Sequence, residues 1–454
     1  MNYLNQISSL AKGFFNGDSR SVAVKKNMLL SIVIRCVSIF VSLMLVPLTI
    51  GYVSAELYGV WLTISSMLTW LTFTDLGFSQ GLKNKLAESI ALEDWERGRQ
   101  LVSTTYFLML LIIIPVCGVL SFIIPHINWC SFLNVDSQFE HEIKVSMMAM
   151  LAMFGFQMVV NVFVSVVAAF QKVALSTSFN VMGSAIGLLI VYILTKTTQP
   201  SLLYLCLTLG GMPPLVLLVA SLFFYSSSFK KVAPSIKDIN LSLTSDLFSL
   251  GYKFFFINIQ VLIIYYSTNL LISYVSSPLM VTSYNIAYRY LNIAMMIFTI
   301  ITAPLWPAYT DAITKGDYDW MNRTKRKMEK VLLISVSISV LMVIVSPIAY
   351  KYWINGKAEV PFLMTILVSA YTSAYNWTIL NTTILAGMSK LKVSLLVGLI
   401  GCFIHIPLSI LLGRVVGGYA VVISMLVINT IYAVVYHIQV NLLLQKKARG
   451  IWNQ

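Results

Sequence analysis

Three basic residues stand inside otherwise apolar runs of this 454-residue chain: Arg35, Lys253 and Arg289. Arg35 lies about eight residues into its run, about 12 Å along a helix axis, and Arg289 is similarly deep, whereas Lys253 sits nearer one end. A charge at mid-membrane costs about 2.5–3.5 kcal/mol on insertion scales, so each needs compensation. One compensation is snorkelling to the nearer head-group layer, the simpler account for Lys253. The rival is a cationic cavity, where a planar guanidinium makes charge-assisted, bidentate contacts to an anion such as phosphate. Two later runs add polar and aromatic groups: Asn258, Gln260, Tyr265, Tyr266 and Asn269 in one, and Tyr371, Tyr375, Asn376, Trp377, Asn381, Thr382 and Thr383 in the other. Such side chains hydrogen-bond or stack with sugar, and the same types also stitch helices together. No acidic residue is comparably deep, since Asp75 and Asp246 fall at run ends, so a cation exporter or proton pump lacks its usual midplane carboxylate.

The elements that must position these groups are twelve apolar runs, at 28–50, 57–76, 101–124, 145–169, 177–195, 202–225, 247–272, 281–305, 331–350, 361–386, 393–412 and 417–440. Each is long enough to cross a bilayer, and none has the period-2 alternation of a barrel strand, so the fold class is an all-α polytopic membrane protein. Composition agrees: 58% hydrophobic residues, 11% charged residues and a mean hydropathy of +0.82 leave too little polar surface for a soluble protein. The N-terminal arm (1–27), the even-numbered connections and the tail (441–454) hold about 23 Lys and Arg against about 5 in the other connections, which places both ends in the cytoplasm. Most of the +14 net charge is therefore topological rather than a nucleic-acid footprint. The cluster Arg323, Lys325, Arg326, Lys327 and Lys330 also suits anionic membrane lipids.

Cysteines 36, 117, 130, 206 and 402 contain no C-x-x-C pair, and His126, His141, His405 and His437 have no ligand spacing, so no metal site or cofactor is expected. An internal echo divides the chain. Asp94-Trp95 recurs as Asp319-Trp320, 225 residues on, and Tyr58-Gly59-Val60 recurs as Tyr284-Asn285-Ile286. A duplicated six-helix unit fits this: an N-terminal lobe over 28–225, a cytoplasmic linker over 226–246 and a C-terminal lobe over 247–440. Pro47, Pro304, Pro307 and Pro407 are candidate bends.

The residues Lys26-Asn27, Pro47-Leu48-Thr49, Glu56-x-Tyr58-Gly59-Val60, Asp75-Leu76-Gly77-Phe78 and Gly81-Leu82-Lys83-Asn84 resemble the polysaccharide-biosynthesis membrane proteins of the multidrug/oligosaccharidyl-lipid/polysaccharide exporter superfamily, particularly bacterial O-antigen flippases. The resemblance implies a MATE-like fold of two six-helix lobes in a bacterial inner membrane. It implies no enzyme, but transport of undecaprenyl-diphosphate-linked oligosaccharide from the cytoplasmic to the outer leaflet. Candidate substrate contacts are Arg35, Arg289, Lys253, Asn258, Tyr266, Tyr375 and Asn381, and the family-motif residues are Asp75, Gly77, Gly81 and Asn84. Partners would be the lipid-linked glycan, membrane lipids and, as further candidates, a glycan polymerase and glycosyltransferases. A MATE-like small-molecule exporter and a nonenzymatic scaffold of a glycan-assembly complex are the alternatives. A major-facilitator transporter lacks its Gly-x-x-x-Asp-Arg-x-Gly-Arg-Arg loop here, and the connection at 125–144 is short for a glycan polymerase.

Overall fold

The computed structural model describes residues 19–170, 172–248, 260, 262–302 and 305–454. Its helices are α1 (Ser19–Tyr52), α2 (Ala55–Thr69), α3 (Phe78–Ala91), α4 (Trp95–Ile123), α5 (Trp129–Leu133), α6 (Glu140–Val160), α7 (Val162–Ala169), α8 (Val173–Thr197) and α9 (Leu202–Ser226) in the first half. The second half has α10 (Thr268–Val275), α11 (Pro278–Thr302), α12 (Leu305–Thr314), α13 (Tyr318–Ile354), α14 (Phe362–Gly387), α15 (Lys392–Val416) and α16 (Tyr419–Leu444). Among the described residues eight helical segments are long and apolar enough to cross a membrane: α1, α4, α6 with α7, α8, α9, α13, α15 and α16. The protein is thus an all-α, multi-pass membrane protein. The other expected spans differ for sequence reasons. α2 has only 15 residues before a 3-10 turn at Trp70–Asp75, and α11 and α14 carry the Tyr, Asn, Thr and Arg residues that lower their hydropathy. The expected seventh span is partly described, as a π-helical turn at Leu262–Tyr266 that runs into α10.

Caps explain where several helices begin. Asp94 accepts from Arg97 N at 3.0 Å to open α4, and Asp317 accepts from Trp320 N at 2.9 Å to open α13. Each of these helices follows a short one, α3 and α12 respectively, so the echo in the sequence corresponds to a repeated helix–cap–helix arrangement. The caps themselves are 94 and 317, two residues out of step with the repeated Asp-Trp pairs. Before α3, Asp75 accepts from Ser79 N at 3.1 Å and Ser79 Oγ at 3.0 Å, while Gly77 takes φ 87°. A Cβ on Gly81 would meet the backbone of Leu247, whose carbonyl carbon would lie 2.8 Å away. Asn84 is exposed. The motif residues Asp75, Gly77 and Gly81 therefore build the turn and close packing of α3.

Residues 230–243 form three 3-10 turns tied to the start of α4: Asn240 N donates to Thr104 Oγ1 at 2.9 Å, Ser235 N to Ser103 Oγ at 3.0 Å, and Arg97 pairs with Asp246 at 3.3 Å. Lys325 departs from the expected lipid-facing cluster. It is only 8% exposed and donates to Glu329 Oε1 at 2.7 Å and Asn441 Oδ1 at 2.9 Å, because its helix face packs toward α16.

Second-half helices meet first-half helices chiefly through α11 on α2, with further contacts of α10 on α2 and α11 on α1. At the side opposite the basic connections a seam of hydrogen bonds joins the halves. Trp353 Nε1 donates to Leu43 O (2.9 Å), Thr282 Oγ1 to Ala55 O (2.6 Å), Ser273 Oγ to Leu133 O (3.0 Å) and Asn134 Nδ2 to Ser273 O (3.0 Å).

Candidate functional site

Arg289 occupies the middle of α11, and its Nη1 donates to Ser42 Oγ at 2.7 Å and Ser42 O at 3.0 Å on α1. No carboxylate pairs with it among the described residues. A guanidinium has five donors, and the serine uses the donors of one nitrogen. The side chain is half-buried and lines two adjoining cavities, of about 290 Å³ and 140 Å³. The larger is walled by α1 (Ser38, Ser42), α2 (Trp61), α8 (Ser184) and α9 (Leu209) as well as Arg289, so it lies where first-half helices face the second half. Trp61 Nε1 on its wall, and Asn292 Oδ1 on that of the smaller cavity, are buried without a hydrogen-bond partner among the described residues. The unspent donors, Trp61 Nε1 and the remaining guanidinium N–H groups, make the larger cavity suited to an anion with several acceptor oxygens, whereas Asn292 Oδ1 is an acceptor that asks for a donor.

Arg35 is exposed on α1. It precedes Ser38 and Ser42 by three and seven residues, so all three share one helix face and Arg35 sits about 10 Å along the axis from Ser42. The two arginines thus bracket one serine-bearing stripe. Lys253 and Asn258 lie outside the described residues. Ser38, Ser42, Ser184, Trp61 and Asn292 were not singled out from sequence, although Arg35, Ser38 and Ser42, three and four apart in an apolar run, were a readable sign of a polar stripe.

The other candidates separate. Tyr375 lines a different cavity of about 250 Å³ between the π-helical turn, α14, α15 and α16. Tyr266 is 43% exposed. Asn381 is buried, its Nδ2 donating to Trp377 O at 2.9 Å and its Oδ1 unpartnered among the described residues. The five cysteines are free, and among the described residues no cluster of His, Cys, Asp or Glu could hold a metal.

The fold of this bundle is shared with solved membrane proteins. It is similar to an inward-facing multidrug resistance MATE transporter of the MOP superfamily, with 13% identity, a TM-score of 0.72 and coverage of 92% of this chain and 100% of that one. It is also similar to the lipid II flippase MurJ in an inward closed conformation, with 14% identity, a TM-score of 0.65 and coverage of 93% of each chain. Against the outward-facing form of a MATE transporter the TM-score is 0.59 at 12% identity, over 96% of this chain and 98% of that one. No curated protein matches the chain by sequence. Residues 23–313, more than half of its length, match the family described as polysaccharide biosynthesis protein, and the chain belongs to that family. Family and fold together point to a transporter rather than a catalytic enzyme.

Proposed function

We propose that this protein is a flippase that moves polyprenyl-diphosphate-linked oligosaccharide across a bacterial plasma membrane, from the cytoplasmic to the outer leaflet, with both termini cytoplasmic. One observation carries the reading: in a member of the polysaccharide biosynthesis family, an arginine without a carboxylate partner among the described residues lines a cavity between the two halves of the chain. The work needed is physical. A large hydrated head group crossing hydrocarbon alone loses many hydrogen bonds, each costing several kcal/mol. A polar cavity replaces them while the polyprenyl tail stays in lipid.

In this reading two six-helix lobes, 28–225 and 247–440, alternate access around the cavity. The diphosphate enters from the basic side, past Arg35, and exchanges the neutral oxygens of Ser42 for its own charged oxygens on Arg289. Lys253 is a further candidate for pairing with the diphosphate. Tyr266, Tyr375, Asn258 and Asn381 serve the glycan. The hydrogen-bonded seam around Trp353, Thr282 and Ser273 then acts as the outer gate, closed here, and the higher TM-score against the inward-facing transporter supports that assignment. A glycan polymerase and glycosyltransferases are the natural partners on either side of such a step.

A second reading, export of small molecules, is favoured by the TM-score of 0.72 to a multidrug transporter against 0.65 to the lipid flippase. The two part in reconstituted proteoliposomes. Protein-dependent change in the leaflet accessibility of labelled lipid-linked oligosaccharide, lost in an inserted Arg35→Ala/Arg289→Ala variant, supports the flippase. Efflux of organic cations without lipid movement, tested with and without ion gradients, replaces it with the exporter.

A further inference from the structure

Among the described residues, the cavity that holds Tyr375 has no charged side chain on its wall. Tyr265, Tyr375, Thr378, Thr382, Tyr432 and Tyr436 are among its lining residues. Three of the phenols are fixed by internal hydrogen bonds: Tyr265 Oη donates to Asn429 Oδ1 at 3.0 Å, Tyr432 Oη to Gly398 O at 3.1 Å and Tyr436 Oη to Ser394 O at 3.2 Å. Tyr432 and Tyr436 stack at 5.7 Å between ring centroids, and Tyr265 meets Tyr375 edge-on at 5.3 Å. Rings held this way form stiff walls, because their polar ends are already spent. Free polar capacity is confined to a few atoms on the same wall. Tyr375 Oη has no hydrogen bond among the described residues, Ser394 Oγ is buried and unpartnered, and Gln260 donates through Nε2 to Leu395 O, leaving Oε1 unused. Aromatic walls with a few placed polar groups suit a ligand that has apolar faces and hydroxyl edges.

The position adds to the chemistry. The Arg289 cavity uses α1, α8 and α9, the expected first, fifth and sixth spans of the first half, with Trp61 of α2 and Arg289 of α11. The tyrosine cavity uses the π-helical turn, α15 and α16, the same ordinals of the second half, together with α14, which carries Tyr375, Thr378 and Thr382. Three corresponding helices thus contribute to each cavity, one holding a cation and the other uncharged among the described residues. Tyr288, next to Arg289, packs on the same buried cluster as Tyr265 and Tyr375, so aromatic rings run from one region toward the other. The volume of about 250 Å³ falls below the roughly 300–1,000 Å³ of sites that enclose drug-sized molecules, and favours a single ring. No carboxylate stands on this wall among the described residues, so an organic cation finds no counter-charge there.

We infer that this cavity is a subsite for one neutral sugar ring of the transported head group, distinct from the anion site at Arg289. The inference rests on the flippase reading. Its test is binding of two probes to the full chain in nanodiscs, followed by native mass spectrometry. One probe is polyprenyl diphosphate without sugar; the other is the lipid-linked oligosaccharide pool of the cells that make the protein. Tyr375→Ala is expected to weaken the glycosylated probe about tenfold while shifting the bare lipid by less than about twofold, whereas Arg289→Ala weakens both. Tyr375→Trp, which keeps a ring face, restores glycan binding. Thermal unfolding checks each variant, and Tyr375→Leu serves if the alanine variant does not fold. Equal losses for both probes, or none in either Tyr375 variant, overturn the subsite and leave the flippase reading standing. If the unaltered protein binds neither probe, the flippase reading fails and the subsite falls with it.

Discussion

Replacing Arg289 separates a substrate anchor from a clamp between helices. A bidentate contact to phosphate supplies two charge-assisted hydrogen bonds, each worth about 1.5–3 kcal/mol when desolvated. Two features reduce that total here. The guanidinium is only half-buried, so solvent screens it, and the ligand must first displace Ser42, now 2.7 Å from Nη1. A net loss of about 2 kcal/mol is the reasonable expectation for Arg289→Ala, or about 30-fold in apparent affinity for the lipid diphosphate. Arg289→Lys keeps the charge without the planar fork and should lose about fivefold. Ser42→Ala removes the competitor, so affinity should hold or rise. Membrane abundance should not fall in Arg289→Ala, because a mid-span arginine costs about 2.5–3.5 kcal/mol on insertion. The assay is the initial rate of leaflet exchange at subsaturating lipid-linked oligosaccharide, normalised to inserted protein. Equal rates for Arg289→Ala and the unaltered protein refute the anchor. If Ser42→Ala is as damaging as Arg289→Ala, the guanidinium acts instead by holding α11 to α1.

Trp353→Phe with Thr282→Val removes two bonds of the seam and should shift the population toward an outward-open form. Paired spin labels across that side should report longer distances, and unchanged distances would deny the seam a gating role. Asp75→Ala removes the carboxylate that accepts from Ser79 at the start of α3 and should cost about 1 kcal/mol of stability with little change in substrate affinity, read by thermal unfolding beside a binding assay. Gly81→Val should be worse, at about 1–3 kcal/mol, because the backbone of Leu247 cannot yield as a flexible side chain would. A melting temperature matching that of the unaltered protein would show that the two segments can separate freely.

The helices that physics fixes most strongly were the easiest to read. Long apolar runs such as α4 and α13 need internal backbone hydrogen bonds wherever lipid surrounds them, so length and hydropathy suffice. Runs that also serve a polar interior were harder. Asn285, Arg289 and Asn292 make α11 less apolar than a lipid-facing helix, and the π-helical turn at Leu262–Tyr266 has no period that hydropathy could reveal. The repeated Asp-Trp pair pointed to the right region but to the wrong register, since capping depends on which carboxylate reaches a free N–H. That carboxylate is Asp94 in one copy and Asp317 in the other.

Arg35 and Arg289 illustrate the limit for the site. Their depth along the chain is nearly the same, and depth is what a sequence gives. Surroundings depend on the rotation of each helix and on what packs against it. Arg289 meets Ser42 across the join between the halves, while Arg35 stands exposed about two turns away on the same stripe of α1. The stripe itself was legible, because Arg35, Ser38 and Ser42 recur at three and four residues in a run that is otherwise apolar. The same spacing joins Tyr432 to Tyr436 on the second cavity's wall. Polar groups placed along one face of an apolar helix cost insertion energy unless that face is kept from lipid. Their spacing therefore carries more information about a cavity than their identities do, and the serine and tyrosine pairs are better guides to this site than the depth of either arginine.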